Sequence, residues 1–283
     1  MAMKDKLKHY LFAPENLNLI KEESLNGSRE IKFFLSDEAE IEDFNFDSFR
    51  KCVIDFDSRG ELINKNSRNT LKKMFSKNPN KNLAVKKFGQ NGIYDNLRFR
   101  FLTSRALRSF STALRLKSIE ISVPEPLACI EVCGTKNKLI NSYYIYKFID
   151  FEFDLNDFYQ CDNNNHNREK LIRKLASNIK RMHDHGIVHG DLQPFNIHFK
   201  TGNSSDRIYF IDFNRASHRD KLSLRARAKD LHRLRMPEDF KYEFLSFYSE
   251  ENQRVLSGLI DRFLKRLLRR KSVKRKLENI LGV

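Results

Sequence analysis

The chain has 283 residues, 40% of them hydrophobic and 32% charged, and its 53 Lys+Arg against 37 Asp+Glu give a formal net charge of +16. That much apolar material can build a core, which excludes wholesale disorder, and the length suits one large domain or two lobes. No apolar run approaches the ~20 residues that cross a bilayer, the opening MAMKDKLKHYLFAPEN lacks the apolar stretch of a secretory signal, and four scattered cysteines exclude a disulfide scaffold.

In chain order, residues 1–30 read as an N-terminal extension. Cys52–Asp57 (CVIDFD) alternates and predicts a strand, closed by turn residues Asp57, Ser58, Arg59 and Gly60. A short strand at Glu61–Ile63, a polar stretch Asn64–Asn69, a strand Thr70–Phe75, a turn Asn78–Asn82 and a strand Leu83–Phe88 (LAVKKF) follow. Arg105–Leu116 carries helical periodicity through Ala106, Leu107, Phe110, Ala113 and Leu114, and Val123–Pro126 ends that unit. Ser142–Ile149 is rich in strand formers, and Cys161–Arg168 (CDNNNHNR) reads as a surface loop. Leu171, Leu175, Ile179 and Met182 then mark a helix, with Gly186 where a terminating glycine belongs. Ile197–Phe199 and Ile208–Ile211 are strand-like, and the rest is helical. The pattern predicts an α+β fold of two lobes, a sheet-rich one over 31–149 and a helical one over 150–283, with a cleft between them.

The positive charge concentrates at the end of the chain. From Arg254 to Val283, ten Lys/Arg face only Asp261 and Glu278. The same segment has a helical stripe of Leu256, Leu259, Ile260, Phe263, Leu264, Leu267 and Leu268. A basic amphipathic helix suits an anionic membrane surface; docking of its stripe on the core is the other reading. No aromatic residues interleave with the late basic run, which disfavours nucleic acid as the partner.

The most specific stretch is Ile187–Ile197 (IVHGDLQPFNI), which sets His189, Asp191 and Asn196 as H-x-D-x-x-x-x-N. Asp212 follows an apolar strand in YFIDFN, and upstream Ala84-Val85-Lys86 puts a lysine in a strand. These are the spacings of protein-kinase-like phosphotransfer machinery. In that chemistry Asp212 binds Mg²⁺, Asn196 completes the metal shell with a neutral oxygen, Asp191 accepts the proton of the attacking hydroxyl, and Lys86 sits on the phosphates of ATP. His189 reads as an orienting residue. Lys87 adjoins Lys86, and since neighbours on a strand face opposite sides, only one of the two can serve.

Gly190 makes the motif HGD, which resembles the small-molecule kinases. Ser104–Arg108 (SRALR), Val123–Leu127 (VPEPL), Arg225–Leu231 (RARAKDL) and Ile211–Arg215 (IDFNR) are similar to the lipopolysaccharide inner-core (Kdo/heptose) kinases. The resemblance covers about residues 50–235. It implies ATP and Mg²⁺ as cofactors, a Kdo-lipid A or lipopolysaccharide core precursor as acceptor, and a cytoplasmic position on the inner face of the inner membrane. It also places the phosphate-covering loop at Asn64–Asn69, where Ser67, Arg68 and Asn69 would assist the backbone N–H groups, although no glycine is present. Ser109 stands where related kinases carry the glutamate that pairs the strand lysine, and Asn214 replaces the glycine of D-F-G. Another kinase of this fold with a different acceptor, or a non-catalytic pseudokinase, are the alternatives.

Overall fold

The computed structural model describes residues 21–25, 29–37, 39, 46–66, 69–76, 81–89, 103–135, 138–160, 167–201 and 206–281. The chain forms two compact units, one of residues 1–150 with 210–218, the other of 151–209 with 219–283.

Among the described residues, the main sheet of the first unit has seven strands: β1 (Lys21–Leu25), β2 (Arg29–Leu35), β3 (Glu61–Lys65), β4 (Asn69–Met74), β5 (Leu83–Phe88), β6 (Pro126–Gly134) and β7 (Lys138–Lys147). They form one antiparallel sheet in the order β1-β2-β6-β7-β5-β4-β3. Strand β1 falls within the segment read as an N-terminal extension, and it pairs Lys21 to Leu25 against β2.

Helix α1 (Phe46–Ile54) corrects the strand expected at Cys52–Asp57. The six-residue window alternates, but the apolar positions that matter begin earlier, at Phe49, Cys52, Val53 and Phe56, and have helical spacing. Phe49, Val53 and Phe56 are buried with Ile31, Phe33, Val85, Ile130 and Ile145, while Ile54, an inward position in a strand, is 59% exposed. Helix α2 (Arg105–Ser118) starts at Ser104, whose hydroxyl accepts the Leu107 N–H. It buries Ala106, Phe110, Ala113 and Leu116, and Phe110 meets Tyr144 of β7 with ring centroids 6.3 Å apart.

The polar stretch Asn64–Asn69 is shorter as a loop than expected. Asn64 and Lys65 belong to β3 and Asn69 to β4. The turn is closed by the Asn66 N–H to the Asn69 carbonyl (2.9 Å) and the Asn69 N–H to Asn66 Oδ1 (2.8 Å). A strand tolerates this polarity because β3 is the outer edge of the sheet and all five of its side chains are exposed.

The second unit holds helices α3 (Leu155–Gln160), α4 (Arg168–Asp184), α5 (Leu224–Leu231), α6 (Glu238–Ser249) and α7 (Gln253–Leu281). Its strands are β8 (Phe153–Asp154), the short β9 (Ile187–Val188), β10 (Ile197–Lys200) and β11 (Arg207–Phe210), with β11-β10-β8 forming a sheet. Helix α4 buries Leu171, Leu175, Ile179 and Met182, the periodic set seen in the sequence. It ends at His185, and Gly186 takes φ +71°, the left-handed conformation that closes helices. Phe153, Phe158 and Phe199 stack at 4.9–6.5 Å. On α7, Leu256 and Ile260 are buried, while Arg262, Lys265, Arg266, Arg269 and Arg270 are exposed and Leu268 is 63% exposed. The stripe therefore docks at its start and leaves the core further on. Lys241 of α6, itself buried, reaches Glu238 (2.8 Å) and Asp261 of α7 (2.9 Å), which ties the two helices.

Candidate active site

The chemistry-bearing residues lie in both units. In the first, the two-residue period of β5 separates the paired lysines. Lys87 shares a face with the α1 core: it sits over the Phe56 ring (5.3 Å) and pairs with Asp57 at 3.2 Å. Lys86 points to the opposite face, where its Nζ is 2.9 Å from Asp212 Oδ1. Ser109 does not reach the lysine, because its hydroxyl donates to the Arg105 carbonyl one turn back at 2.9 Å. The acid opposite Lys86 is thus Asp212 itself.

The segment carrying Asp212 is held by three anchors within the first unit. The Phe210 N–H donates to the Ser122 carbonyl (3.2 Å), Phe213 is buried, and Arg108 of α2 donates from Nη1 to the Asn214 carbonyl (3.0 Å). Arg108, only 5% exposed, stood in the sequence only as the last residue of the family-like string Ser104–Arg108; its hold on the Asn214 carbonyl is a tertiary fact. Asp212 adopts φ +66°, a conformation that aspartate tolerates better than most side chains. Asn214 therefore need not be glycine, since the left-handed residue of this turn is the aspartate. Burial, aided by the Asp212 charge, pushes the Tyr146 phenol up.

Asp212 Oδ1 is buried and lies at ion-pair distance from Lys86, yet among the described residues no donor is aligned on it as a hydrogen bond. A buried carboxylate oxygen with a cation nearby and no aligned donor fits a metal ligand.

In the second unit, the loop after β9 turns at Gly190, whose φ of +78° disfavours any side chain, the arginine of H-R-D included. Asp230, at the end of α5 and 2% exposed, accepts the backbone N–H of His189 (2.8 Å) and of Gly190 (2.9 Å). It also meets His183 Nε2 at 3.3 Å, and Tyr248 lies 2.7 Å from the other nitrogen of that ring. Burial pushes the Asp230 carboxyl up, but the His183 hydrogen bond, the His183 and His189 charges and the His189 N–H outweigh it and hold the group below its ordinary value. The sequence showed Asp230 only as part of a family-like string; its buried position beneath the loop is a tertiary fact.

Asp191 is fixed by its own neighbourhood. Its Oδ1 accepts Gln193 Nε2 (3.0 Å) and Arg233 Nη1 (2.9 Å), and its backbone N–H faces His189 Nδ1 at 3.3 Å. Its backbone carbonyl accepts the Gln193 N–H (2.7 Å) and Asn196 Nδ2 (2.8 Å). Because the Asn196 amide nitrogen is engaged there, the carboxamide oxygen is the group it can offer a cation. His189 is fully buried, in keeping with an orienting role. Of the residues expected on the phosphates, Ser67 and Arg68 lie outside the described residues. Asn69 opens β4 with its Oδ1 buried and, among the described residues, without a hydrogen-bond partner. Among the described residues there is no cluster of three or more His, Cys, Asp or Glu arranged to hold a metal.

The chain is 37% identical over 95 residues to the KEOPS complex subunit Bud32 of Pyrococcus abyssi, a match over 33% of this chain and 39% of that protein. Over 43 residues it is 46% identical to a putative ribosomal protein S6 kinase alpha-2 of Caenorhabditis elegans, 15% of this chain and 6% of that one. These curated relatives are thus matched over well under half of their length. Among solved structures, WaaP in complex with acyl carrier protein superposes with a TM-score of 0.59 at 17% identity, covering 83% of this chain and 97% of that one. That likeness shows the kinase-like α+β fold, with a sheet-rich and a helix-rich part. The sequence pattern of the lipopolysaccharide kinase (Kdo/WaaP) family matches residues 64–246, well over half of the chain, and the protein belongs to that family.

Proposed function

We propose that this protein transfers the γ-phosphoryl group of ATP to a hydroxyl of an inner-core sugar, Kdo or heptose, on a lipopolysaccharide precursor. The observation that carries this reading is the Asp191 loop: within a chain of this family, a carboxylate of the H-x-D motif is oriented by Gln193 on a backbone clamped by Asp230.

The roles follow from chemistry. Asp191 takes the proton of the acceptor hydroxyl as the oxygen bonds to the γ-phosphorus; the bond to the β–γ bridging oxygen breaks and ADP leaves with that electron pair. Lys86 would neutralise the phosphates, and Asp212 and Asn196 would each offer an oxygen to Mg²⁺. Magnesium, when bound, draws charge off the phosphate oxygens. Ser67, Arg68 and Asn69 would contact the phosphates.

The test uses the full chain with ATP and Mg²⁺. Wild type is expected to gain thermal stability, about 2.7 kcal/mol at a hundredfold excess over Kd, and to phosphorylate Kdo-lipid A or a heptosylated precursor but no generic protein substrate. Asp212→Ala is expected to do neither. No thermal shift in wild type points instead to a non-catalytic protein, and transfer to protein alone sinks the core-sugar reading.

The acceptor class is anionic and membrane-embedded, and no described helix is long and apolar enough to cross a membrane. The exposed basic side of α7 supports peripheral attachment to the anionic inner face of the inner membrane. Each surface Lys or Arg contributes about 1 kcal/mol against an anionic leaflet. Changing Arg262, Lys265, Arg266 and Arg269 to Glu should lower binding to vesicles of 30 mol% anionic lipid by about a hundredfold or more, with little change in melting temperature. Unchanged sedimentation with vesicles removes this role from α7.

A further inference from the structure

Any acceptor must bring its hydroxyl to within about 2.6–3.2 Å of the Asp191 carboxylate. A cation already stands there: Arg233 Nη1 is 2.9 Å from Asp191 Oδ1, and the arginine side chain is 32% exposed. Orientation of the carboxylate does not by itself call for this arginine, since Gln193 donates to the same oxygen at 3.0 Å. Nor does stability call for it, because a partly exposed ion pair contributes little and holding an arginine in one rotamer opposes it.

The placement of Arg233 is set from below. It lies three residues beyond Asp230, whose carboxylate binds the backbone N–H groups of His189 and Gly190. One short segment, 230–233, thus grips the loop through its backbone and through the side chain of Asp191. The guanidinium is therefore held at a constant distance from the proposed base, half-turned to solvent, with a planar fork of donors of which one serves Asp191. A group on the same sugar ring as the accepting hydroxyl falls within reach of that fork.

We propose that Arg233 reads a negative charge on the acceptor, the carboxylate of a sugar acid borne on the same ring as the hydroxyl that is phosphorylated. This rests on the function proposed above and chooses, within it, an acidic sugar over a neutral one. A phosphate already carried by a neutral sugar would offer the same anionic oxygens, and the experiment separates the two sources.

The experiment compares wild type, Arg233→Gln and Arg233→Lys on four acceptors: Kdo methyl glycoside, its C1 methyl ester, a heptoside, and that heptoside bearing a phosphate. In wild type, kcat/KM for the free acid should exceed that for the ester by about 10–100-fold, the worth of a hydrogen bond to a charged group. Arg233→Gln should bring that ratio below about threefold through KM for the acid, leaving KM for ATP within about twofold, and Arg233→Lys should restore part of the ratio. The proposal is overturned if Arg233→Gln lowers kcat equally for acid and ester, which would make the arginine only a positioning residue for Asp191. It is overturned equally if wild type prefers the ester or the plain heptoside. An Arg233-dependent preference for the phosphorylated heptoside alone assigns the anion to phosphate and overturns the carboxylate. If wild type transfers to none of the four, the core-sugar reading falls by itself; calorimetric binding of acid against ester then judges Arg233 separately, equal affinities counting against it.

Discussion

Asp191→Asn is expected to lower kcat by about 10²–10⁴-fold, the usual worth of a positioned general base, while KM for ATP stays within about twofold. The side chain keeps its size, and an amide oxygen can still accept from Gln193 and Arg233, so the change removes the basic group and little else. The hydrogen bonds that shape the loop use the backbone carbonyl of Asp191, which the Gln193 N–H and Asn196 Nδ2 reach at 2.7 and 2.8 Å. The ion pair with Arg233 is partly exposed, 32% on the arginine side and 14% on the aspartate side, and its loss should cost no more than about 1 kcal/mol. Steady-state kinetics beside a melting curve checks this. Joint loss of nucleotide binding and thermal stability would show that the carboxylate holds the loop instead of taking a proton.

The second large effect is expected at Asp230. Asp230→Ala strips the acceptor from the N–H groups of His189 and Gly190 and from His183 Nε2, all in a site where the carboxylate is almost fully buried. Each buried donor left without its acceptor costs about 1–3 kcal/mol, and together these losses are a large part of the 5–15 kcal/mol, roughly, that holds a domain together. Asp230→Asn retains an oxygen for one of the two N–H groups and should lose less. Both variants should also lose activity beyond their unfolded fraction, because a shift of about 1 Å in a reacting group can cost ~10²-fold in rate. Denaturant melts paired with kinetics on the folded fraction separate the two effects. The Asp230 carboxyl is held below its ordinary value, so its contribution is complete above the unfolded pKa of about 3.9 and fades as pH falls through the lower folded one. Wild type should therefore lose part of its stability on acidification below about pH 4, and Asp230→Asn should lack that component. Identical acid profiles would remove Asp230 from this role.

Much of the element structure was legible from local pattern. β5 was read at its own bounds because LAVKKF sits between polar turn residues, and α4 was read from Leu171, Leu175, Ile179 and Met182 with Gly186 behind them. Helix α1 was misread because six residues are too few to separate a period of two from one of 3.6 when the helical set begins upstream at Phe49. Strand β6 went unnoticed as an element behind Val123–Pro126: a central strand buried on both faces shows little alternation, and seven of its nine residues are buried.

The sequence by itself determined the residue types of the candidate site and their spacing: a strand lysine, H-x-D with an asparagine five residues on, and an aspartate after a second apolar strand. Those signals survive in one dimension because each motif lies on a single short element. The tertiary structure decided what meets them. It chose Lys86 over Lys87 by the facing of one strand, gave the lysine Asp212 as its acid where Ser109 could not serve, and set Asp230 and Arg233 on the Asp191 loop. Asp230 and Arg233 lie about forty positions from that loop, and contacts over such separations depend on how elements pack, which no local periodicity encodes.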